Sequence, residues 1–121
     1  MIDLHTHSTA SDGSMSPTAL IRHAKERRLE AIALTDHDTL DGVDRAQARA
    51  RGTPLLLLPG VEIEIESETG ESHLLGLGLW GDRSRLDAAL ARLQAARRDR
   101  NTRMVAKMQA AGIPITEVEL A

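Results

Sequence analysis

Residues 31–35, AIALT, form an unbroken apolar run of strand length between two stretches that read as helices. Such runs suit strands covered on both faces, the situation of parallel sheets. Upstream, Ser16-Pro17 reads as an N-cap followed by proline at the first helical position. It opens a helix from Pro17 to about Leu29, with Leu20, Ile21, Ala24 and Arg28 at helical spacing. Downstream, the loop DHDTLDG leads to a short polar helix from about Val43 to Arg51, which GTP breaks. Ile2–His5 supplies an earlier strand. LLLLPGVEIEIE supplies a later one with a Pro59-Gly60 interruption, SETGE turns the chain, and SHLLGLGLW returns as another strand. The order β-α-β-α-β-β predicts an α/β protein with a mainly parallel sheet.

From Asp82 the pattern changes. Residues 83–111 contain no helix breaker, and Gly112 ends the run as a C-cap would. Ile113-Pro114-Ile115 reads as extended, and TEVEL as the start of another helix. Residues 1–82 therefore read as the sheet-bearing part and 83–121 as a helical addition. Within 83–111, Leu86, Leu90, Leu93, Met104, Met108 and Ala111 form a stripe, with Arg97 and Arg100 in its middle. Arginines where leucines are expected suit forked hydrogen bonds to phosphate. The alternative is a stripe that drifts at a bend, with both side chains snorkelling into water.

Composition narrows the chemistry. The chain has 121 residues, enough for one core, and 41% are hydrophobic, which argues against disorder. Trp80 is its only aromatic residue, so the core is aliphatic and no stacking platform for single-stranded nucleic acid is available. Sequence-specific DNA readout is disfavoured as well, because the N-terminal part is acidic. There is no cysteine, so any metal must be held by nitrogen and oxygen. No apolar run approaches the ~20 residues of a membrane span, and the opening residues lack a leader pattern. The expectation is a cytoplasmic chain without a membrane partner. Net charge is −3, but residues 1–80 hold 7 basic and 13 acidic residues together with all five histidines, whereas 81–121 hold 8 basic and 5 acidic. A cation-binding half followed by a cationic stretch suits an anionic substrate held beside metal.

The polar residues fall where an α/β sheet places its sites, at the carboxyl ends of strands. His5 and His7 end the first strand and, two apart, project from one face, with Asp3 a step deeper. Asp12 lies on the SDG turn. Asp36, His37 and Asp38 follow the second strand, Glu62 follows Pro59-Gly60-Val61 at the mouth of the third, and His73 lies on the fourth. Each motif has an ordinary reading: a chance surface pair, a turn, a helix-start loop, a half-buried histidine. Glu64 and Glu66 read as solvent-facing, and His23 as structural. Together the motifs are hard to assign to chance, because carboxylates packed at one pole repel unless a cation lies between them. Imidazole and carboxylate without thiolate suit Mn²⁺, Fe²⁺ or Zn²⁺. Asp36 and Asp38 are candidates to orient imidazoles, or else caps of the following helix.

The segments DLHTHSTASDGS, ALTDHDTLDG, LPGVEIE and HLLGLGL resemble, in order and spacing, the N-terminal motifs of the PHP domain, the polymerase and histidinol phosphatase superfamily. The resemblance extends over nearly the whole chain. It is nearest to the stand-alone bacterial branch that hydrolyses nucleoside 3′,5′-bisphosphates and trims short RNA from the 5′ end. It implies the N-terminal part of a distorted (β/α)7 barrel followed by a helical insertion. It also implies up to three divalent cations, Mn²⁺ foremost, which acidify a water that attacks phosphorus. On these positions, His5 and His7 would hold a first metal, Glu62 would bridge to a second that His73 also binds, and Asp12 and His37 would hold a third. The family's later ligands, a histidine and an Asp-x-His pair, have no counterpart, because no histidine follows His73. A complete barrel takes about 250 residues, so the chain reads as the front half of an enzyme, with a sheet edge open to self-association. The expected function is a metal-dependent phosphoesterase acting on a small nucleotide or short RNA end. A non-catalytic metal-binding relic is the alternative. A histidinol-phosphate-type phosphatase ranks lower, since that branch usually carries histidine where Asp12 stands.

Overall fold

The structure is a computed structural model that describes residues 1–67 and 70–120. The elements run β1 (Ile2–Thr6), α1 (Pro17–Glu26), β2 (Ala31–Leu34), α2 (Val43–Ala50), β3 (Leu56–Ser67), β4 (Gly70–Leu77), α3 (Ser84–Ala110) and α4 (Glu117–Leu120). The tip of the expected SETGE turn, Glu68-Thr69, lies outside the described residues, as does the side chain of Glu66. The chain divides into two compact units, Met1–Arg83 and Ser84–Ala121.

The first unit is a four-stranded sheet in the order β1-β2-β3-β4. β1, β2 and β3 run parallel, and β4 returns antiparallel to β3. All four residues of β2 are buried, as its unbroken apolar run requires. Ile32 and Leu34 join Leu57 of β3 in a cluster with Ile21 and Ala24 of α1 and Val43, Ala46 and Ala50 of α2. Ala31 and Ala33, of opposite parity on the strand, are buried too. Both helices are amphipathic enough to cover the sheet with a few aliphatic residues each, and each fully buried Ile, Leu or Val contributes about 1.5–3 kcal/mol.

Four features depart from expectation, each for a local reason. First, α1 stops at Glu26 rather than near Leu29, because Arg28 takes a left-handed backbone (φ 56°). Arg28 N–H then donates to the Lys25 carbonyl and Leu29 N–H to the Ala24 carbonyl, which closes the helix as a Schellman motif and turns Leu29 back onto the core. Second, Pro59-Gly60 does not interrupt β3. It marks where the strand changes partner, from β2 up to Pro59 to β4 from Gly60. A Cβ on Gly60 would lie 2.8 Å from the Gly76 carbonyl oxygen and 2.9 Å from Thr35 Cγ2, so only glycine permits this approach. Third, the β1–β2 register slips between Asp3 and Thr6, a bulge that breaks the simple two-residue alternation along β1.

The fourth departure concerns α3, the long helix of the second unit. Its least exposed row is Leu90, Gln94, Arg97, Asn101, Val105 and Met108, in steps of three and four. Leu93 and Met104 are exposed. Arg97 therefore belongs to the covered row and Arg100 lies outside it. Both rows step by three and four, and the covered one passes through Gln94, Asn101 and Val105 where the expected one passed through Leu93, Arg100 and Met104, one residue to the side. The end of α3 is as expected: Gly112 has φ 83°, and Ile113 N–H reaches the Met108 carbonyl in a second Schellman motif. Glu119 supplies one half of a capping box at α4, its carboxylate accepting from the Thr116 N–H (2.9 Å) and hydroxyl (2.8 Å), while its own N–H donates to the Thr116 carbonyl. Among the described residues no helix is long and apolar enough to cross a membrane.

Candidate metal centre

Glu62 is the hub. It sits on β3 two residues past the change of partner, and its side chain is only 4% exposed. The end of β2 stays attached to it: His37 and Glu62 form an isolated parallel bridge, with Asp38 N–H donating to the Glu62 carbonyl and Glu62 N–H to the Asp36 carbonyl. β4 brings His73 alongside, because Glu62 pairs with Leu75 and Glu64 with His73, making Glu62 and His73 diagonal neighbours on one face.

Four imidazoles surround this carboxylate. His5 Nε2 and His7 Nε2 each lie 3.0 Å from Glu62 Oε2, His37 Nε2 lies 3.4 Å from it, and His73 Nδ1 lies 2.6 Å from Oε1. The rings are neighbours as well, with centroids 5.2 Å apart for His5 and His7, 4.7 Å for His7 and His37, and 5.3 Å for His37 and His73. Asp12, on the loop after β1, comes within 3.1 Å of His7 Nδ1 and 3.7 Å of His37 Nε2. Burial is the largest influence on the Glu62 carboxyl and by itself would raise its pKa. Hydrogen bonds from His5 and His73, with the charges of His37 and His5, together outweigh it and hold the group below the ordinary glutamate value.

All six expected ligands thus lie in one cluster, in three overlapping trios: His5, His7 and Glu62; His7, Asp12 and His37; His37, Glu62 and His73. The donor atoms within each trio lie within 4.8 Å of one another. The set fits divalent cations. His7 Nδ1 is buried and makes no hydrogen bond, although Asp12 Oδ1 is 3.1 Å away. A buried polar atom left so costs about 1–3 kcal/mol, and a cation between the two groups would satisfy both. Three protein donors with a further position free is also the pattern of catalytic zinc.

The other candidates are placed differently. Asp3 is exposed, and its Oδ1 accepts from the backbone N–H of His5 (3.3 Å), so the β1 bulge has left it bracing the main chain. Asp36 is buried and holds serines: Oδ1 accepts from Ser8 N–H (2.6 Å) and the Ser11 hydroxyl (2.8 Å), and Oδ2 from the Ser8 hydroxyl (2.7 Å). Asp38 is buried at a left-handed backbone position (φ 53°). Glu64, expected to face solvent, is partly buried opposite His73. His23 lies on α1, 3.9 Å from Glu26 and outside the cluster. Arg97 and Arg100 belong to the second unit. Ser8 and Ser11 were not singled out from the sequence. Their only signal was their place directly after His7 and directly before Asp12.

A model of the PHP domain matches residues 3–112. The chain belongs to the PHP domain family. Among curated proteins, this PHP chain is 39% identical over 112 residues to a 5′-3′ exoribonuclease of Haemophilus influenzae, covering 93% of the chain and 41% of that protein. It is 38% identical over 112 residues to a 3′,5′-nucleoside bisphosphate phosphatase of Chromobacterium violaceum, covering 93% and 39%. Among solved structures, it superposes with a TM-score of 0.85 at 37% identity on an amidohydrolase from Chromobacterium violaceum determined with bound sulfate and no metal, covering 96% of this chain and 41% of that one. The PHP chain thus spans about two fifths of the length of these relatives. Its curled, mostly parallel sheet is part of a PHP barrel.

Proposed function

We propose that this PHP chain carries the metal-binding part of a phosphoesterase that hydrolyses phosphate esters of small nucleotides or of short RNA ends. The observation that carries the reading is the gathering of His5, His7, Asp12, His37 and His73 around or beside the buried carboxylate of Glu62. The names of the relatives, a nucleoside bisphosphate phosphatase and an exoribonuclease, support the substrate class. In this reading, His5, His7 and Glu62 hold one cation, Glu62 and His73 a second, and Asp12 and His37 a third. Manganese is our choice among Mn²⁺, Fe²⁺ and Zn²⁺ for a site of imidazole and carboxylate without thiolate. Bound divalent cations would supply an acidified water and charge neutralisation on a phosphoryl group.

The chain's own residues prepare for that chemistry. Glu62, pinned through its backbone to the end of β2, offers its two oxygens to different imidazoles and so spaces the donors. His5 and His73, each 48% exposed, leave the cluster reachable from solvent. Asp12 projects into solvent with its side chain 67% exposed, placed to meet a ligand arriving there.

The test is elemental analysis of the purified chain, with phosphate release from a nucleoside 3′,5′-bisphosphate in the presence of Mn²⁺. More than one equivalent of metal per chain, lost in Glu62→Gln, and Mn²⁺-dependent release are expected. Failure to retain or take up any divalent metal would overturn the reading. Metal uptake without hydrolysis would mark a non-catalytic metal-binding module instead.

A further inference from the structure

Beside the imidazole cluster lies a buried knot of hydrogen bonds centred on Asp36, whose carboxylate is taken up by serines. Asp36 is 2% exposed, and its carboxylate accepts from Ser8 N–H, the Ser8 hydroxyl and the Ser11 hydroxyl. Ser8 is fully buried. Its hydroxyl oxygen also accepts from Ala10 N–H, and its carbonyl accepts from the N–H groups of Ser11 and Gly13, so the whole 8–13 turn winds around it. Two glycines enclose the arrangement. A Cβ on Gly13 would lie 2.4 Å from the His7 carbonyl oxygen, and a Cβ on Gly42 would lie 2.9 Å from Asp36 Oδ2.

The members of the knot stand next in sequence to the members of one trio: Ser8 follows His7, Ser11 precedes Asp12, and Asp36 precedes His37. Three donors from two distant segments are thus tied together through residues next to each donor. The His37–Glu62–His73 trio gets its relative placement from strand pairing instead. We infer that Asp36, acting through Ser8 and Ser11, is the positioning residue that preorganises the His7–Asp12–His37 trio for a divalent cation. This rests on the metal-centre reading above and adds to it a residue that binds no metal itself. Without the knot, Asp12 would ride on an exposed loop, and its ordering would have to be supplied when the cation binds. With it, that ordering is done on folding. Outer partners that orient metal ligands typically change affinity about 10–100-fold when removed.

The experiment titrates the metal-free chain with Mn²⁺ by calorimetry and compares wild type with Asp12→Asn, Ser11→Ala, Asp36→Asn and the Asp12→Asn/Asp36→Asn pair. Asp12→Asn identifies the binding phase that depends on the trio. Ser11→Ala and Asp36→Asn should weaken that phase about 10–100-fold and the others, which share only His7 or His37 with it, far less. The double variant should bind like Asp12→Asn alone, because residues that act through one another are not additive. Ser11→Ala removes, at a partly exposed residue, the hydroxyl that lies 2.8 Å from Asp36 Oδ1 and 3.2 Å from Asp12 Oδ1, so it decides the matter if Asp36→Asn fails to fold. An unchanged trio phase in Ser11→Ala, or an equal loss in all phases, would overturn this inference and leave the metal centre standing. A wild type without any Asp12-dependent phase would overturn the trio and the knot together.

Discussion

Glu62 shows how one side chain can set the behaviour of a whole site. Its pKa is held below the ordinary glutamate value, so its ionisation stabilises the metal-free fold above that ordinary value, and the stabilisation is lost as pH falls through the lowered one. Thermal melts of metal-free wild type and Glu62→Gln should therefore differ more above the ordinary glutamate value than in strong acid, where they converge. A difference that does not shrink in acid would exclude a stabilising charge at Glu62. At this scale the sequence was informative about which histidines and carboxylates gather and silent about their supports. Histidine and carboxylate types advertise metal chemistry, so His5, His7, Asp12, His37, Glu62 and His73 could be picked out. Ser8 and Ser11 resemble ordinary loop residues, and their partner, Asp36, is 28 and 25 positions away. Asp3, expected a step deeper than His5 on an unbroken strand, is exposed and bonds the His5 N–H, and the β1–β2 register slips just beyond it.

The elements were legible to within a few residues wherever a local signal ends them. Ser16 caps α1 by accepting from Ala19 N–H, and Gly112 closes α3, both as the residue types announce. Arg28 does the work of Gly112 at the end of α1 but is not glycine, and so the helix was expected to run on. That difference makes a prediction. A non-glycine residue in the left-handed region is strained by about 1–2 kcal/mol, and glycine would return part of this as lost chain entropy. Arg28→Gly should raise stability by about 0.5–1 kcal/mol, read as a small upward shift of the thermal midpoint. A downward shift would mean that the Arg28 side chain contributes more than its backbone costs. The role of Pro59-Gly60 was hidden for another reason. Proline and glycine signal a break, and nothing in the local sequence says that a strand passes through them while exchanging one neighbour for another.

For the whole molecule, the alternation of apolar runs and helical windows was enough to predict a mainly parallel α/β sheet. The division at residue 83 follows the change in composition that begins at Asp82. The helical unit carries the remaining functional expectation. We predict that Arg97→Ala/Arg100→Ala raises KM about tenfold more for a nucleoside bisphosphate than for a substrate with one phosphate, as loss of a charge-assisted phosphate contact would. Equal effects on both substrates, measured by steady-state phosphate release, would assign these arginines to the helix rather than to substrate. Within the first unit, His7 has a consequence of its own. Its Nε2 faces Glu62 and its Nδ1 faces Asp12, yet a neutral imidazole carries one proton for two nitrogens. A cation held on one side would fix the tautomer and leave the proton on the opposite side. A single ring would then carry news of loading from one flank of the cluster to the other, and nitrogen chemical shifts of His7 would record the order of filling.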